Sequence, residues 1–284
     1  MKITIWGCRG SIPAPGPTTL RYGGDTTCLE IRTDRGQVII VDAGSGLRNL
    51  GWVLSQGKDV TQMRLFFTHA HWDHLVGFPF FQPAYSELFS ISFCSGPHAQ
   101  DSIRRYLNHQ MEAPYFPVDF SLLRAKFDFR CERPHTEPGH CLLDGLEVCP
   151  VSLSHPNGGY GYKFIEQGKT FVFLTDNELG FGHEGGLRRE EYVDFCRGVD
   201  LLFHDAQFTD EEYKLTRGWG HSTFADATDL AIEAGVKRLG LIHHDPNRTD
   251  DDLDRQEEFC RDRIGLAGSA VGCSAIAEGT IIEL

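Results

Sequence analysis

The chain has 284 residues, which is long enough for one α/β domain with a sizeable core. Its formal charge of −13 argues against a protein that grips long nucleic acid through a broad basic surface, although a small anionic substrate is still compatible. The nine cysteines are scattered, no apolar stretch reaches about 18 residues, and no basic-then-apolar leader precedes the first strand. We therefore expect a cytoplasmic protein with reduced thiols and no membrane partner.

Apolar runs of strand length alternate with turns and helical patterns along the chain. In the first half we predict strands at residues 2–6, 28–32, 37–41 and 64–68, a hairpin turn at 33–36 and a helix at 46–55. In the second half we predict strands at residues 146–152, 161–165, 170–174, 201–204 and 238–243, a turn at 166–169, and helices at 223–234 and 250–264. Ser222 or Thr223 is suited to cap the helix at 223–234. No low-complexity linker separates the halves, so we expect one domain over residues 1–284, built as a helix–sheet–sheet–helix sandwich.

A cluster of imidazoles and one carboxylate follows the predicted strand at 64–68. Residues 68–74, Thr-His-Ala-His-Trp-Asp-His, form a loop at the carboxyl end of that strand, where side chains can converge on an ion. His69 and His71 share one face of extended backbone, whereas Asp73 and His74 come from the turn and can face another way. Because one cation is not expected to be held by all four, the spacing suggests two adjacent metal ions.

Three further candidate ligands stand where a predicted strand ends. His155 follows the strand at 146–152, Asp176 follows the strand at 170–174, and His243 ends the apolar run at 239–242. Such residues meet if one edge of the sandwich carries the site. The alternative, a surface loop that happens to be rich in histidine, does not explain why the pattern recurs downstream.

The pattern His-x-His-x-Asp-His resembles the signature of the metallo-β-lactamase fold. The resemblance implies a four-layer αββα sandwich with a site for two divalent ions. By this resemblance one ion would be bound by His69, His71 and His155. The other would be bound by Asp73, His74 and His243. Asp176 would bridge the two ions. Zinc is the ion we expect first, and manganese or iron also suit imidazole and carboxylate ligands.

The chemistry of such a site is hydrolytic. Two ions about 3.5–4 Å apart can bind a shared hydroxide and stabilise the attacking and leaving oxygens of an in-line displacement at phosphorus. The same site can attack a carbonyl or a thioester, so the ligand pattern indicates a hydrolase and leaves the substrate open.

Two motifs in the second half resemble the ribonuclease Z branch of the fold. Residues 200–208 resemble its His-Glu-Ala-Thr stretch, with Asp205 in the place of glutamate, and residues 220–223 match its His-Ser-Thr motif. The glycine-rich openings at 7–13 and 21–27 are similar to that branch as well. Carried over, His221 is the general acid that protonates the leaving oxygen, Asp205 orients it, and Asp73 orients the attacking hydroxide. The alternative is that His221 caps the following helix and Asp205 is a buried, hydrogen-bonded acid.

The connection between His155 and Asp176 bears on the substrate. It has about twenty residues, enough for two strands and a turn, whereas ribonuclease Z enzymes that grip tRNA insert a long basic arm at this place. The chain looks most like stand-alone cyclic-nucleotide phosphodiesterases, among them phage anti-Pycsar enzymes and their bacterial relatives. That resemblance implies a homodimer that hydrolyses 3′,5′-cyclic mononucleotides to 5′-monophosphates. The alternatives are a ribonuclease Z-like tRNA 3′-processing endonuclease, a carbonyl hydrolase, and a nucleotide-sequestering protein with a vestigial site.

The sequence allows two roles for each of two further regions. The segment 78–133 is rich in aromatic residues and proline, and its rings either wall a pocket that stacks on a nucleobase or form an ordinary core or dimer contact. A secondary cluster either forms a structural zinc site or is an irregular loop with Cys149 buried on a strand; it consists of Cys131, His135, His140, Cys141 and Cys149.

Overall fold

Two seven-stranded mixed sheets make up the centre of the molecule. The computed structural model describes residues 1–57, 59–95, 100–129 and 140–284. In the first sheet the strands lie in the order β14-β1-β2-β3-β4-β5-β6. Their bounds are Lys2–Gly7 (β1), Cys28–Arg32 (β2), Val38–Val41 (β3), Gln62–Phe67 (β4), Ser90–Ser95 (β5), Lys126–Asp128 (β6) and Ile281–Glu283 (β14). Strands β3 to β6 are parallel, so their carboxyl ends lie at one edge.

The second sheet repeats this arrangement. Its order is β13-β12-β11-β10-β9-β8-β7, with β10 to β13 parallel and β7 to β10 antiparallel. The bounds are Cys141–Leu143 (β7), Leu146–Ser152 (β8), Tyr160–Glu166 (β9), Lys169–Leu174 (β10), Leu201–Asp205 (β11), Arg238–Ile242 (β12) and Gly272–Ala275 (β13). The helices are Leu47–Gln56 (α1), Gln100–Gln110 (α2), Arg189–Cys196 (α3), Asp210–Thr216 (α4), Phe224–Ala234 (α5) and Asp250–Leu266 (α6).

Three apolar cores hold four layers together. The core between the sheets includes Phe66, Phe164 and Phe203. A second core packs α1 and α2 on the outer face of the first sheet, and a third packs α3, α5 and α6 on the outer face of the second. Successive strand side chains point to opposite faces, so Phe66 enters the central core while Leu65 and Phe67 enter the outer one. The predicted αββα sandwich is therefore confirmed.

Strands with clear apolar periodicity begin and end close to their predicted bounds. The turn at 33–36 joins β2 to β3, with the Gly36 N–H donating to the Thr33 carbonyl at 2.9 Å. The strands that the pattern did not predict include β6, β7 and β14, which have three residues each and are too short to show a period. Among the described residues, no helix combines the length and apolar character that a membrane crossing needs.

Four rings of the aromatic segment 78–133 contribute to packing. Phe78, Phe81, Phe89 and Phe93 are buried in the outer core of the first sheet. For these four rings the interpretation as an ordinary core is the one that holds, and a base-stacking role is excluded by their burial.

The secondary cysteine–histidine cluster divides into three parts. Cys131 and His135 lie outside the described residues. Cys141 is buried in the core between the sheets. His140 and Cys149 come together on the other face of the sheet, with the Cys149 Sγ 3.5 Å from the His140 Nδ1.

Candidate metal centre

All seven predicted ligands meet at one edge of the sandwich, in the loops that follow four strands. His69 and His71 follow β4, and a short 3-10 helix, Trp72–His74, presents Asp73 and His74. The remaining three follow β8, β10 and β12, and they are His155, Asp176 and His243. Their ligand atoms form two groups in which every pair of atoms lies within 4.8 Å, and Asp176 belongs to both.

The first group consists of three imidazoles and one carboxylate oxygen. The His155 Nε2 lies 3.0 Å from the His71 Nδ1. The Asp176 Oδ2 is 3.6 Å from the His69 Nε2 and 3.8 Å from the His155 Nε2. Four donor atoms thus surround one point.

The second group uses the other oxygen of Asp176. Its Oδ1 lies 3.2 Å from the His74 Nε2 and 3.3 Å from the His243 Nε2. The Asp73 Oδ2 lies 3.2 Å from each of the same two nitrogens. Asp176 therefore turns one oxygen toward each group, as a carboxylate that bridges two ions must.

The donor atoms of both groups fit divalent ions. The buried Nε2 atoms of His69 and His74 have no hydrogen-bond partner. Leaving a buried polar atom unpaired costs free energy unless another group, such as a metal ion, binds it. Imidazole nitrogens and carboxylate oxygens suit zinc, manganese and iron. The residues present therefore fit two such ions.

The opposite nitrogens of three rings are held from outside. The His74 Nδ1 lies 2.8 Å from the Asp42 Oδ2, and the His243 Nδ1 lies 3.0 Å from the Gln207 Oε1. The His155 Nδ1 lies 2.9 Å from the Gly220 carbonyl oxygen. Such contacts fix the ring orientation and leave each Nε2 facing the site, as outer partners of metal-binding histidines do.

Burial and the nearby carboxylates shift the pKa values of the site imidazoles in opposite directions. Burial lowers the pKa of His155 to about 4 and that of His69 well below its usual value. Burial also opposes the charging of His74 and His243, but the carboxylates around them outweigh it. The pKa of His243 rises to about 9 and that of His74 well above its usual value. A divalent ion bound in the second group would release these protons.

Backbone strain is concentrated at the site. Asp42, Asp176 and His243 have φ values of 62°, 51° and 58°, in the left-handed region that residues other than glycine rarely adopt. Such strain persists where the surrounding structure enforces it, and it gathers at functional sites. Here it turns the chain sharply where β3, β10 and β12 end.

Asp205 and His221 lie together beside the metal ligands. The Asp205 Oδ2 is 3.0 Å from the His221 Nδ1 and accepts a hydrogen bond from the Ser222 N–H at 3.2 Å. The His221 ring stacks on that of His243, with ring centroids 4.8 Å apart. Thr223, not His221, caps the helix α5, because its side chain accepts from the Asp226 N–H. The capping alternative for His221 is therefore wrong.

The matching family model is described as a beta-lactamase superfamily domain and covers residues 37–244, most of the chain. This chain belongs to that superfamily. Among curated relatives, a ribonuclease Z of Lacticaseibacillus casei strain BL23 is 26% identical over 258 residues, covering 76% of this chain and 77% of the relative. A ribonuclease Z of Haloarcula marismortui is 22% identical over 289 residues, with 86% of each chain covered.

Three solved structures share the fold. A diphosphatase of the PhnP family has a TM-score of 0.67 at 17% identity, covering 100% of this chain and 97% of its own. The short form of human tRNase Z has a TM-score of 0.64 at 20% identity, covering 100% and 99%. The metallo-β-lactamase fold protein YhfI of Bacillus subtilis has a TM-score of 0.67 at 16% identity, covering 99% of each. At these identities the comparison establishes the fold alone.

The sequence did not reveal three residues that hold other residues of this site in position. Asp42 and Gln207 hold His74 and His243, as described above. Glu178 is buried, and its carboxylate accepts hydrogen bonds from the N–H groups of Gly218 and Gly220, each at 2.7 Å. It thereby fixes the backbone that leads into His221. Asp42 follows the apolar run of β3, as ligands follow other strands, and that position was the available signal.

Two glycines allow the backbone to approach the superfamily site. A Cβ on Gly10 would lie 2.4 Å from the His243 Nδ1, and one on Gly220 would lie 2.1 Å from the His155 Nδ1. Gly10 belongs to the glycine-rich opening at 7–13, which therefore comes close to the site. The neighbouring Ser11 N–H donates to the Asp73 Oδ2 at 2.9 Å. Arg9 is instead structural, because it is buried and donates to backbone carbonyls.

A cavity of about 540 Å³ opens beside His69 and His71. Its wall includes Tyr106, Asn157 and Glu184. Small-molecule sites in proteins commonly have volumes of about 300–1,000 Å³. The volume of this cavity lies within that range.

Proposed function

We propose that this protein is a phosphodiesterase that uses two divalent metal ions. The observation that carries the proposal is the Asp205–His221 pair, joined at 3.0 Å and adjoining the ligand set through His243. A site that attacks a carbonyl has less need for such a pair, whereas a phosphodiester releases an alkoxide, which is a poor leaving group unless it is protonated.

The ligand set defines where the ions would be held. One ion would be held by the imidazoles of His69, His71 and His155. The other would be held by Asp73, His74 and His243. Asp176 belongs to both sets. Ions bound there would supply Lewis acidity and an activated water nucleophile.

The side chains of the protein itself have separate tasks. Asp73, already fixed by the Ser11 N–H, is placed to accept the hydrogen bond that orients the attacking water. His221 faces Asp205 with Nδ1, which leaves Nε2 to carry the proton for the leaving oxygen. Asp205 then stabilises the charged imidazole and holds its ring in place.

For the substrate, our first candidate is a 3′,5′-cyclic mononucleotide hydrolysed to the 5′-monophosphate. Strands β9 and β10 are joined by the two residues Gln167 and Gly168, which lie between the paired residues Glu166 and Lys169. No basic arm is inserted between His155 and Asp176, where every residue is described. The cavity volume also suits a small ligand, and the charge of −13 is compatible with an anionic one because bound cations would outweigh it locally.

The second candidate is a ribonuclease Z-like tRNA 3′-processing endonuclease. The curated relatives named above are ribonucleases Z, and they match three quarters or more of this chain. A solved tRNase Z shares the fold over the whole chain. The comparisons favour this candidate over the cyclic nucleotide, while the short β9–β10 connection favours the cyclic nucleotide.

Turnover by the purified, metal-analysed protein separates the two candidates. The assay uses a panel of 3′,5′-cyclic mononucleotides and, in parallel, a precursor tRNA, with Asp73→Ala as the inactive control. Release of 5′-monophosphates that Asp73→Ala abolishes supports the first candidate. Cleavage of the tRNA with the cyclic nucleotides untouched supports the second. No hydrolysis of either substrate or of an activated phosphodiester by the metal-loaded protein would refute the phosphodiesterase proposal itself.

A further inference from the structure

A second group of metal-binding side chain types lies at the edge of the second sheet. β7 is the outermost strand, and it pairs with β8 so that Cys141 faces Val148. Carried one residue further, this register sets His140 opposite Cys149. Glu147 and Cys149 are two positions apart on β8 and therefore share a face of the sheet.

The three side chains form a nearly equilateral triangle. The His140 Nδ1 lies 3.3 Å from the Glu147 Oε1 and 3.5 Å from the Cys149 Sγ. The third side, from the Cys149 Sγ to the Glu147 Oε1, measures 3.4 Å. One imidazole, one thiol and one carboxylate thus point at a common centre.

The distance between His140 and Glu147 fits a metal site better than a hydrogen bond, and the two distances to sulfur fit either. An N–H···O bond is usually about 2.9–3.0 Å long, clearly shorter than the observed His140–Glu147 separation. In tetrahedral zinc, with bonds of about 2.3 Å to sulfur and about 2.0–2.1 Å to nitrogen or oxygen, adjacent ligand atoms are about 3.4–3.6 Å apart. The triangle therefore has the dimensions of one face of a zinc coordination tetrahedron.

We propose that His140, Glu147 and Cys149 bind a zinc ion that is distinct from the ions of the catalytic edge. Thiolate and imidazole ligands favour zinc among the common divalent ions. Cys149 is buried while His140 and Glu147 are partly exposed, so an ion can enter from solvent. The ion would fasten the three-residue edge strand β7 to β8, where a short strand has few hydrogen bonds of its own.

Metal content and cobalt spectroscopy test this assignment without any activity assay. The catalytic ligand set contains no sulfur, so a cobalt–thiolate charge-transfer band in the near ultraviolet reports only on a cysteine site. We expect the full-length protein to bind one zinc equivalent beyond the catalytic pair and to show this band when loaded with cobalt. Cys149→Ser should lose both the extra equivalent and the band.

Two further variants keep the test decisive. Cys196→Ser changes another buried cysteine, which lies in α3, and it should keep the band and the metal content. Glu147→Gln alters a partly exposed side chain, should fold normally, and should lose the extra zinc to a chelator that the unchanged protein resists. A band that persists in Cys149→Ser, or a protein with no equivalent beyond the catalytic pair and no band, would overturn the proposal and leave three hydrogen-bonded side chains.

Discussion

The metal ligands and the Asp205–His221 pair adjoin each other, yet they are held in different ways. The side chains of His74 and His243 are 0% and 1% exposed, and a second residue holds the outer nitrogen of each ring. The His221 side chain is 12% exposed, and its Nδ1 faces Asp205. The metal-binding side chains are thus held rigidly, whereas under the proposed function the pair would matter only where the leaving oxygen needs a proton.

The largest effect is expected when Asp176, the ligand shared by both groups, loses its charge. Asp176→Asn keeps a side chain that tolerates the left-handed backbone at this position, so the fold should survive. Because both ligand groups use this carboxylate, we expect loss of both ions and turnover near background on every substrate. Metal analysis and an activated phosphodiester measure the two effects. Asp194→Asn, an exposed acid on α3, is the matched control and should behave as the unchanged protein.

A smaller effect is expected from Asp205→Asn. The amide can still accept from the Ser222 N–H, but it cannot stabilise a charged imidazole at His221. Turnover of phosphodiesters with alkoxide leaving groups should fall by about 10²-fold, at the lower end of what general acid catalysis supplies. Metal content should not change, and a loss of metal would show that Asp205 belongs to the ligand set instead.

Asp42→Asn tests whether the outer contacts matter to the ligands. Asp42 accepts from the Thr68 N–H at 2.8 Å and also faces the His74 Nδ1. Outer partners of metal-binding histidines typically contribute about 10–100-fold in metal affinity or activity. We expect a loss of that size in metal affinity, measured by competition with a chelator. An unchanged affinity would mean that burial alone orients His74.

The smallest effect concerns the residue two positions after His221. Thr223→Ala removes the cap of α5, and we expect the free energy of unfolding to fall by about 1 kcal/mol. Metal content and turnover should stay the same. A denaturant titration measures the free energy of unfolding. A loss of activity under conditions where the variant is fully folded would place Thr223 in the reaction after all.

The ligands could be predicted from sequence because each one follows a strand with a clear apolar pattern. His155 after β8 and Asp176 after β10 are visible in this way without knowledge of the fold. Asp205 ends the strand β11 in the same way, whereas His221 follows no strand, and the roles of both were assigned through a resemblance to known motifs. Glu178 and Gln207 act through hydrogen bonds to residues more than 30 positions away, and no local spacing encodes contacts of that kind.

The measurement that tests the phosphodiesterase account most directly is the leaving-group dependence of His221→Ala. Its turnover is compared with that of the unchanged protein on a diester with an alkoxide leaving group and on an activated p-nitrophenyl ester, at equal metal content. We expect a loss of roughly 10²–10⁴-fold on the first and a much smaller loss on the second, because nitrophenolate needs little protonation. Equal losses on both substrates would contradict the role of His221 as the general acid.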